Sequence, residues 1–366
     1  MMGNKMRVVI ALSGGVDSTV AAVILKEGGY QVIGVTMQIW PPDKVVPEID
    51  RFGGCCGVSA IEEAKRAAHK LGIPHYVMNF RDVFAQKVIA DFYQEYSRGR
   101  TPNPCIRCNQ YIKFGTLFDR AKELGADFIV TGHHARIEKD EANGRYLLKK
   151  GFDQRKDQSY VLYSLTQEQL SHILLPIGNL TKEKVREIAR ELGLPIATKP
   201  ESQDICFIPD NNYPDFLKEY VPQAVKPGPI LNKQGSVLGQ HRGIVSYTIG
   251  QRRGLGISAK EPMYVTAIDQ ERNTIVIGSK QEAHGNELVA SKLNWISIAK
   301  LEQTITAKAK IRYRHKEVEA EVTPLDGDKV QVKFKEPQMA ITPGQAVVFY
   351  REDTAIGGGI IEKARR

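Results

Sequence analysis

The stretch VVIALSGGVDSTVAAVIL, Val8 to Leu25, changes character at its middle. Arg7 to Leu12 is short and almost wholly apolar, which predicts a strand covered on both faces, as in a parallel sheet. Val16, Val20, Val23 and Ile24 then recur at helical spacing among alanines until Gly28-Gly29 stops the run. Strand, glycine turn and helix follow one another as one unit. Such a turn leaves the first N–H groups of the helix without intrahelical partners, and the positive end of the helix dipole adds to their pull on an anion.

A phosphate suits that position. Gly14 and Gly15 let the backbone approach its oxygens, and Ser13, Ser18 and Thr19 carry hydroxyls to donate to it. Asp17 is the odd member, because a carboxylate beside a phosphate repels it unless a divalent cation lies between them. The stretch therefore predicts a nucleotide with Mg2+. The plain alternative is a glycine turn that only packs helix on sheet. No G-x-x-x-x-G-K-[ST] occurs, which excludes the common phosphate-binding loop.

At 366 residues the chain is long enough for two or three domains of about 100–200 residues each. It has no run of 18 apolar residues and no secretory signal pattern, so no membrane contact is expected and the cytoplasm is the expected location. A formal charge of +9 favours a polyanionic partner. The five cysteines, Cys55, Cys56, Cys105, Cys108 and Cys206, are an odd number in a reducing compartment, which argues for chemistry or metal over a disulfide framework.

Further apolar runs at Tyr30–Met37, His75–Phe80 and Asp127–His133 alternate with helical patterns such as Ile61–Leu71. This predicts an α/β class, with a doubly wound parallel sheet. Ligands in such sheets sit beyond the carboxyl ends of the strands, which puts Met37 and Gly132-His133 beside the Ser13–Ser18 loop. His133 and His134, as successive strand residues, point to opposite faces and cannot chelate a metal together. Thr181 is the expected cap of a helix over Lys182 to Leu192.

The texture changes near residues 200 to 210. Val221 to Ile230 is loop-like, and Gly243 to Gly256, with Arg252-Arg253 among four glycines, suits a small open subdomain. From about Leu288, short alternating runs separated by Asp326-Gly and Pro343-Gly turns predict a small β-barrel. Within it Lys308, Lys310, Arg312, Arg314 and Lys316 take every second place, one basic strand face. Either it is a solvated edge, or acids on adjacent strands or an external polyanion offset it.

Ser97 to Lys113 holds four cations and no acid, and its Thr-Pro-Asn-Pro core predicts a rigid positive loop presenting Cys105 and Cys108. Positive surroundings favour the thiolate, moving a cysteine pKa from about 8.5 toward neutrality. A structural zinc site would need a second ligand pair. A thioredoxin-like redox pair would open a helix after the first strand, which a loop does not do. Sulfur transfer and an iron–sulfur centre remain.

Ser13-Gly-Gly-Val-Asp-Ser18 resembles the pyrophosphate loop of the N-type ATP pyrophosphatases of the PP-loop superfamily, which split ATP into AMP and pyrophosphate and use the AMP to activate an oxygen. Gly99-Arg-Thr-Pro-Asn-Pro104 with Cys108-Asn109, Ile112-Lys-Phe114, Thr131-Gly-His133, Lys156-Asp-Gln-Ser-Tyr160, Ser202-Gln-Asp-Ile-Cys-Phe207, Thr248-Ile-Gly-Gln-Arg-Arg-Gly254 and Pro343-Gly-Gln345 narrow it. With them the chain resembles the bacterial tRNA-specific 2-thiouridylases. That resemblance implies a PP-loop catalytic domain over 1–205, a small central domain over 206–286 and a tRNA-contacting β-barrel over 287–366.

The resemblance further implies ATP at Ala11, Leu12, Ser13, Gly14, Gly15, Val16, Asp17, Ser18, Met37 and Gly132, with Mg2+. ATP would adenylate the wobble uridine of tRNA, and sulfur added at carbon 2 would give 2-thiouridine, AMP and pyrophosphate. Cys108 is implied as the nucleophile, and Cys206 as the carrier of a persulfide loaded by a sulfur donor or relay protein. Sulfur then moves either as hydrosulfide, through a Cys108–Cys206 disulfide, or by direct addition. The implied tRNA contacts are Asn103, Pro104, Cys105, His133, Lys156, Asp157, Gln158, Arg312, Tyr313 and Gln345.

One departure stands out: many family members carry Asp where this chain has Cys105, a weaker hydrogen-bond partner. Cys105, Cys108 and Cys206 together offer three sulfurs, the basis for an iron–sulfur cluster with one open site. Two other functions share these features. A ligase activating a carboxylate or ureido oxygen would need no persulfide, and a tRNA-binding protein without catalysis would not need an intact Ser13, Gly14, Gly15, Asp17 and Ser18.

Overall fold

The computed structural model describes residues 5–40, 58–198, 205–208, 212–220 and 225–365. Cys55, Cys56, Ser202-Gln203-Asp204 and the first part of the expected loop, Val221 to Ala224, lie outside the described residues. The chain clusters into two units, one of residues 1–88, 105–211 and 353–355, the other of 89–104, 212–352 and 356–366.

In the first unit, strands β1 (Arg7–Ala11), β2 (Gln31–Gln38), β3 (His75–Asn79), β4 (Phe128–Val130) and a two-residue strand at Ile173–Leu174 form a parallel sheet. The strand order from one edge is β3, β2, β1, β4 and then Ile173–Leu174. Val8, Val9 and Ile10 are fully buried, as an apolar strand covered on both faces requires. The helix Val16–Glu27 ends at Gly28, and Gly29 takes the turn at φ +84°. That helix shares a core with Lys182–Glu191, where Val20, Ala21, Val185 and Ala189 meet the sheet. Thr181 caps the second helix, its hydroxyl accepting from the Lys184 N–H at 3.2 Å. From β1 the chain crosses to β2 and β3 on one side, while β4 lies on the other. The loops after β1 and β4 therefore diverge and leave a crevice at the carboxyl edge.

The second unit holds two β structures. Gly228–Leu231, Val237–His241, Tyr264–Asp269 and Thr274–Gly278 make a four-stranded sheet. The glycine-rich segment after Gly243 belongs to this small domain: Ile244, Tyr247, Ile249 and Leu255 are buried in its core, and Arg252 to Gly254 stay exposed. The six strands His284–Trp295, Ile305–Lys310, Val318–Leu325, Lys329–Met339, Ala346–Arg351 and Thr354–Arg365 form an antiparallel barrel, closed where the first pairs with the last. Gly327 at φ +73° and Gly344 at φ +90° sit in the two expected turns. Phe92 and Tyr96, from the segment before Pro104, pack in this unit against Phe216 and Tyr213.

The five-cation face does not extend along one strand. Only Lys308 and Lys310 lie on Ile305–Lys310; Arg312 and Arg314 fall in the turn that follows, and Lys316 precedes the next strand. Lys308 stands opposite Glu319 and 3.8 Å from Glu317, so acids nearby offset it.

Candidate active site

The loop after β1 is held by its own side chains. Gly15 caps the helix in an extended conformation, and its carbonyl accepts from Thr19 N at 3.3 Å, Ser18 Oγ at 3.1 Å and Thr19 Oγ1 at 3.0 Å. Ser13 N donates to Ser18 Oγ at 3.2 Å, and the two serine oxygens lie 3.2 Å apart. The hydroxyls of Ser18 and Thr19 therefore shape the turn instead of reaching outward, and Thr19 is fully buried. What remains for an anion is the backbone of Gly14 to Asp17 with the part-exposed Ser13. Gly14 has φ +70°, and a Cβ there would lie 2.5 Å from the Ala60 carbonyl oxygen.

β2 and β4 complete the crevice. Leu12 N donates to the Val35 carbonyl at 2.8 Å, and Met37 is buried two residues further along β2. Gly132 follows β4, and a Cβ on it would come within 2.6 Å of Asp17 C and Ser18 N. The crossing of β4 over the first helical turn demands glycine.

Asp17 is not left facing a phosphate alone. Lys182 Nζ donates to both of its carboxylate oxygens at 2.7 Å, and His134 Nε2 lies 3.4 Å from Oδ1. Burial pushes the Asp17 carboxyl up, but the His134 hydrogen bond and the Lys182 charge more than offset it and hold it below the usual carboxylate value. Beside Asp17, where the sequence suggests a divalent cation, thus also stands a buried lysine of this chain. Lys182 is itself fixed: its N–H donates to Asp153 Oδ2 at 3.2 Å, and Thr181 caps its helix. A lysine at the start of an ordinary surface-patterned helix carried no signal of this role.

His133 and His134 lie after β4 has ended, not on a regular strand. His134 turns to Asp17, and its Nδ1 is buried with no hydrogen-bond partner. His133 shares a hydrogen bond with Thr131 Oγ1 at 2.7 Å and lies 6.0 Å, ring to ring, from Phe114. Burial, then the charges of Lys113 and His134, push its pKa well below the ordinary histidine value, so the ring is neutral. Gln158 clamps this turn, accepting from His134 N at 2.8 Å while its own N–H donates to the His134 carbonyl at 2.9 Å. Asp157 accepts from Gly151 N, Ser159 N and Ser159 Oγ between 2.9 and 3.1 Å. Of the expected tRNA contacts Lys156, Asp157 and Gln158, the last two serve as internal supports of the site.

Cys105 and Cys108 do open a helix, although not after the first strand. Pro104–Arg107 is one α-helical turn that continues as a π-helix over Cys108–Thr116 and returns to α-helix at Leu117. A π-helix of nine residues is rare and concentrates at functional sites. Its register is invisible in composition or spacing. Cys105 is exposed and Cys108 half-buried. Asn109 is buried, donates to the Val161 carbonyl at 3.0 Å, and keeps an unpartnered Oδ1.

Cys206, also half-buried, precedes Phe207, whose ring meets Phe84 edge-on at 5.6 Å. The helix Arg81–Phe84, just beyond β3, also packs on Cys108–Thr116. The two segments that bear Cys108 and Cys206 therefore rest on one short helix at the carboxyl edge of the sheet. Among the described residues no three His, Cys, Asp or Glu side chains gather as metal ligands.

Three further expected contacts lie in the second unit. Arg312 donates to the carbonyls of Ile249 at 3.0 Å and Ala340 at 3.1 Å and to Thr342 Oγ1, binding core segments to one another. Tyr313 is exposed. Gln345 Nε2 donates to the carbonyls of Thr101 at 2.9 Å and Pro102 at 3.2 Å, and so holds the Thr-Pro-Asn-Pro segment that leads to Asn103 and Pro104.

Three family models match in succession: a tRNA methyl transferase HUP domain over residues 6–210, a tRNA methyl transferase PRC-barrel domain over 214–279, and an aminomethyltransferase beta-barrel domain over 285–361. The chain is 56% identical, over the full length of both, to a protein of Caldanaerobacter subterraneus named tRNA-specific 2-thiouridylase MnmA 2. It is 54% identical to the tRNA-specific 2-thiouridylase MnmA of Acetivibrio thermocellus, covering 98% of this chain and 100% of that one. With the protein of the same name from Clostridium perfringens it shares 53%, over 98% and 99%. No helix among the described residues is long and apolar enough to cross a membrane.

Proposed function

Because the chain belongs to the tRNA-specific 2-thiouridylase family, we propose that it thiolates the wobble uridine of tRNA at carbon 2, with adenylation by ATP in the crevice after β1 and β4. It is a tRNA-uridine 2-sulfurtransferase. The matching family models speak of methyl transfer; relatives identical at more than half of all positions along the whole chain weigh more.

The chemistry needs two things. The carbonyl oxygen at carbon 2 of uracil leaves badly and must first become part of a better leaving group, which adenylation provides. The loop from Ser13 to Asp17 offers the triphosphate backbone N–H groups at a helix N-terminus, with Lys182 neutralising the one carboxylate of that loop. The residues build no cage for Mg2+, since Lys182 already holds Asp17. Mg2+ accompanying ATP would supply charge neutralisation at the phosphates.

The second need is sulfur. Cys206 carries a persulfide received from a small persulfide or a relay protein in the cytoplasm. The Cys108 thiolate attacks the inner sulfur, giving a Cys108–Cys206 disulfide and hydrosulfide. Hydrosulfide adds to carbon 2, and AMP departs. The shared footing of both cysteine segments on Arg81–Phe84 is the observation that carries this reading.

Cys108→Ser and Cys206→Ser are each expected to abolish 2-thiouridine in an assay with ATP, unmodified tRNA and a persulfide donor, while ATP still binds. Undiminished thiolation by both variants would overturn the sulfur route.

A further inference from the structure

We infer that Phe152 is the surface on which tRNA stacks the base beside the target uridine, once that uridine has left its own stack for the crevice. This rests on the tRNA reading just proposed. Phe152 is 63% exposed, and it is the one exposed phenylalanine among the described residues. A lone apolar residue on a surface is ordinary. What sets this ring apart is the loop that carries it.

From Gly151 to Gln158 every residue is tied by a hydrogen bond, and the ties lead to the candidate active site. Gly151 N donates to Asp157 Oδ1 at 3.1 Å and Phe152 N to the Gly178 carbonyl at 2.9 Å. Asp153, 6% exposed, accepts from Arg155 N and from Lys182 N, the residue whose Nζ holds Asp17. On the other side of the ring, Gly151 lies so close to the segment after β4 that a Cβ on it would come 2.6 Å from the His134 carbonyl oxygen. Phe152 therefore stands between one residue packed on His134 and another hydrogen-bonded to Lys182. Its backbone is fixed and its ring is left exposed.

The chemistry around the ring selects a base. Arg155 is already paired, with Asp153 at 3.2 Å and Glu183 at 2.8 Å, so this tip offers a flat apolar face more than a free charge. A protein partner would need a contiguous apolar patch, and the neighbours Asp153, Gln154 and Arg155 are polar. A single π-face flanked by polar groups is what an unpaired RNA base stacks on. Carbon 2 of uracil reaches the crevice only when the base leaves its stack, which bares one face of its neighbour. Phe152 replaces the lost stacking partner and holds the opened loop in place.

The test compares full-length Phe152→Ala, Phe152→Tyr and Phe152→Trp with wild type, using ATP, Mg2+, a small persulfide and unmodified tRNA. With alanine the KM for tRNA should rise about tenfold, the scale of one lost base–aromatic stack, while ATP affinity and thermal stability stay those of wild type. Tyrosine and tryptophan keep a π-face and should restore the KM. Tryptophan emission of Phe152→Trp should be quenched when an anticodon stem–loop RNA is added, beyond any change that wild type shows through Trp40 and Trp295. A Phe152→Ala enzyme with the wild-type KM, or a Phe152→Trp enzyme that binds the RNA without added quenching, overturns the stacking role. So does a defect that appears only when a donor protein replaces the small persulfide, which would make Phe152 a docking point for that donor. Wild type that binds no tRNA would instead refute the tRNA reading itself, and the stacking with it.

Discussion

Lys182 Nζ lies 2.7 Å from each carboxylate oxygen of Asp17, joining the start of one helix to the first turn of another that is 165 residues away in sequence. The lysine side chain is 6% exposed and the aspartate 30%. Replacing Lys182 by Met strands a half-buried carboxylate beside the site proposed for the triphosphate. The expected loss is about 1–3 kcal/mol, below the ~3–5 kcal/mol of a fully buried pair because Asp17 keeps some solvent. ATP affinity should fall at least tenfold, about 1.4 kcal/mol. Asp17→Asn on the Lys182→Met background should restore part of the stability, giving a coupling energy of roughly 1 kcal/mol in urea melts. Calorimetric titration that finds ATP binding unaltered in Lys182→Met would refute this role.

The low pKa of Asp17 sets the acid limb of the same interaction. A carboxyl held below its unfolded value adds stability that is fully present above the unfolded value of 3.8 and is lost as pH falls through the folded one. Lys182→Met removes one of the groups that hold it down, so the variant should lose its Asp17 contribution at higher pH than wild type. Carboxylate titration by NMR in the two proteins checks this. An Asp17 pKa that does not rise in the variant would mean that His134 alone sets it.

Much of the architecture follows from periodicity. A fully apolar Val8-Val9-Ile10, helical spacing from Val16 to Leu25 and Gly28-Gly29 leave little choice but strand, turn and helix, and the short alternating runs from about Leu288 close as the expected barrel. The close backbone approaches at Gly14 and Gly132 are legible in the sequence as glycines. Not legible is which neighbours a polar side chain serves: Ser18 and Thr19 hold Gly15, Gln158 holds His134, and Arg312 holds carbonyls. A sequence shows donors but not who accepts from them. Lys182 and the π-helix at Cys108 escaped altogether, because long-range ion pairs and a one-residue change of helical register leave no periodic trace.

Gly132→Ala tests the close crossing of the segment after β4 over the loop proposed to bind ATP. The added Cβ meets backbone atoms of Asp17 and Ser18 at 2.6 Å, and backbone cannot rotate away as a side chain would. The first helical turn must shift, with the N–H groups proposed to receive the phosphates. ATP-dependent AMP release should fall at least a hundredfold, about 2.7 kcal/mol, while circular dichroism stays near that of wild type. Normal AMP release from a folded Gly132→Ala protein would remove the crevice from the mechanism.

His133 predicts a stability change near neutrality. Burial comes first among the causes that keep its pKa well below 6.5, followed by the charges of Lys113 and His134. Between the folded pKa and 6.5 the unfolded chain binds a proton that the folded chain refuses, so stability falls as pH drops below about 6.5. The slope reaches at most about 1.4 kcal/mol per pH unit for one group. His133→Asn keeps a polar atom for Thr131 and cannot titrate, so its stability curve between pH 7 and 5 should be flatter by that amount. Parallel curves for the two proteins would show that His133 does not carry the effect.

Gln345 distinguishes support from direct contact. Its Nε2 donates to the Thr101 and Pro102 carbonyls, and Thr101 N donates in turn to the Pro343 carbonyl at 2.9 Å, so residues 343–345 grip the segment just before Asn103. Gln345→Ala removes two hydrogen bonds worth about 0.5–1.5 kcal/mol each. If the grip is the function, amide exchange at Thr101 and Asn103 should speed up in the free protein, with no tRNA present, and the KM for tRNA should rise while ATP affinity stays constant. If Gln345 instead met tRNA directly, exchange in the free protein would be unchanged and only the complex would respond.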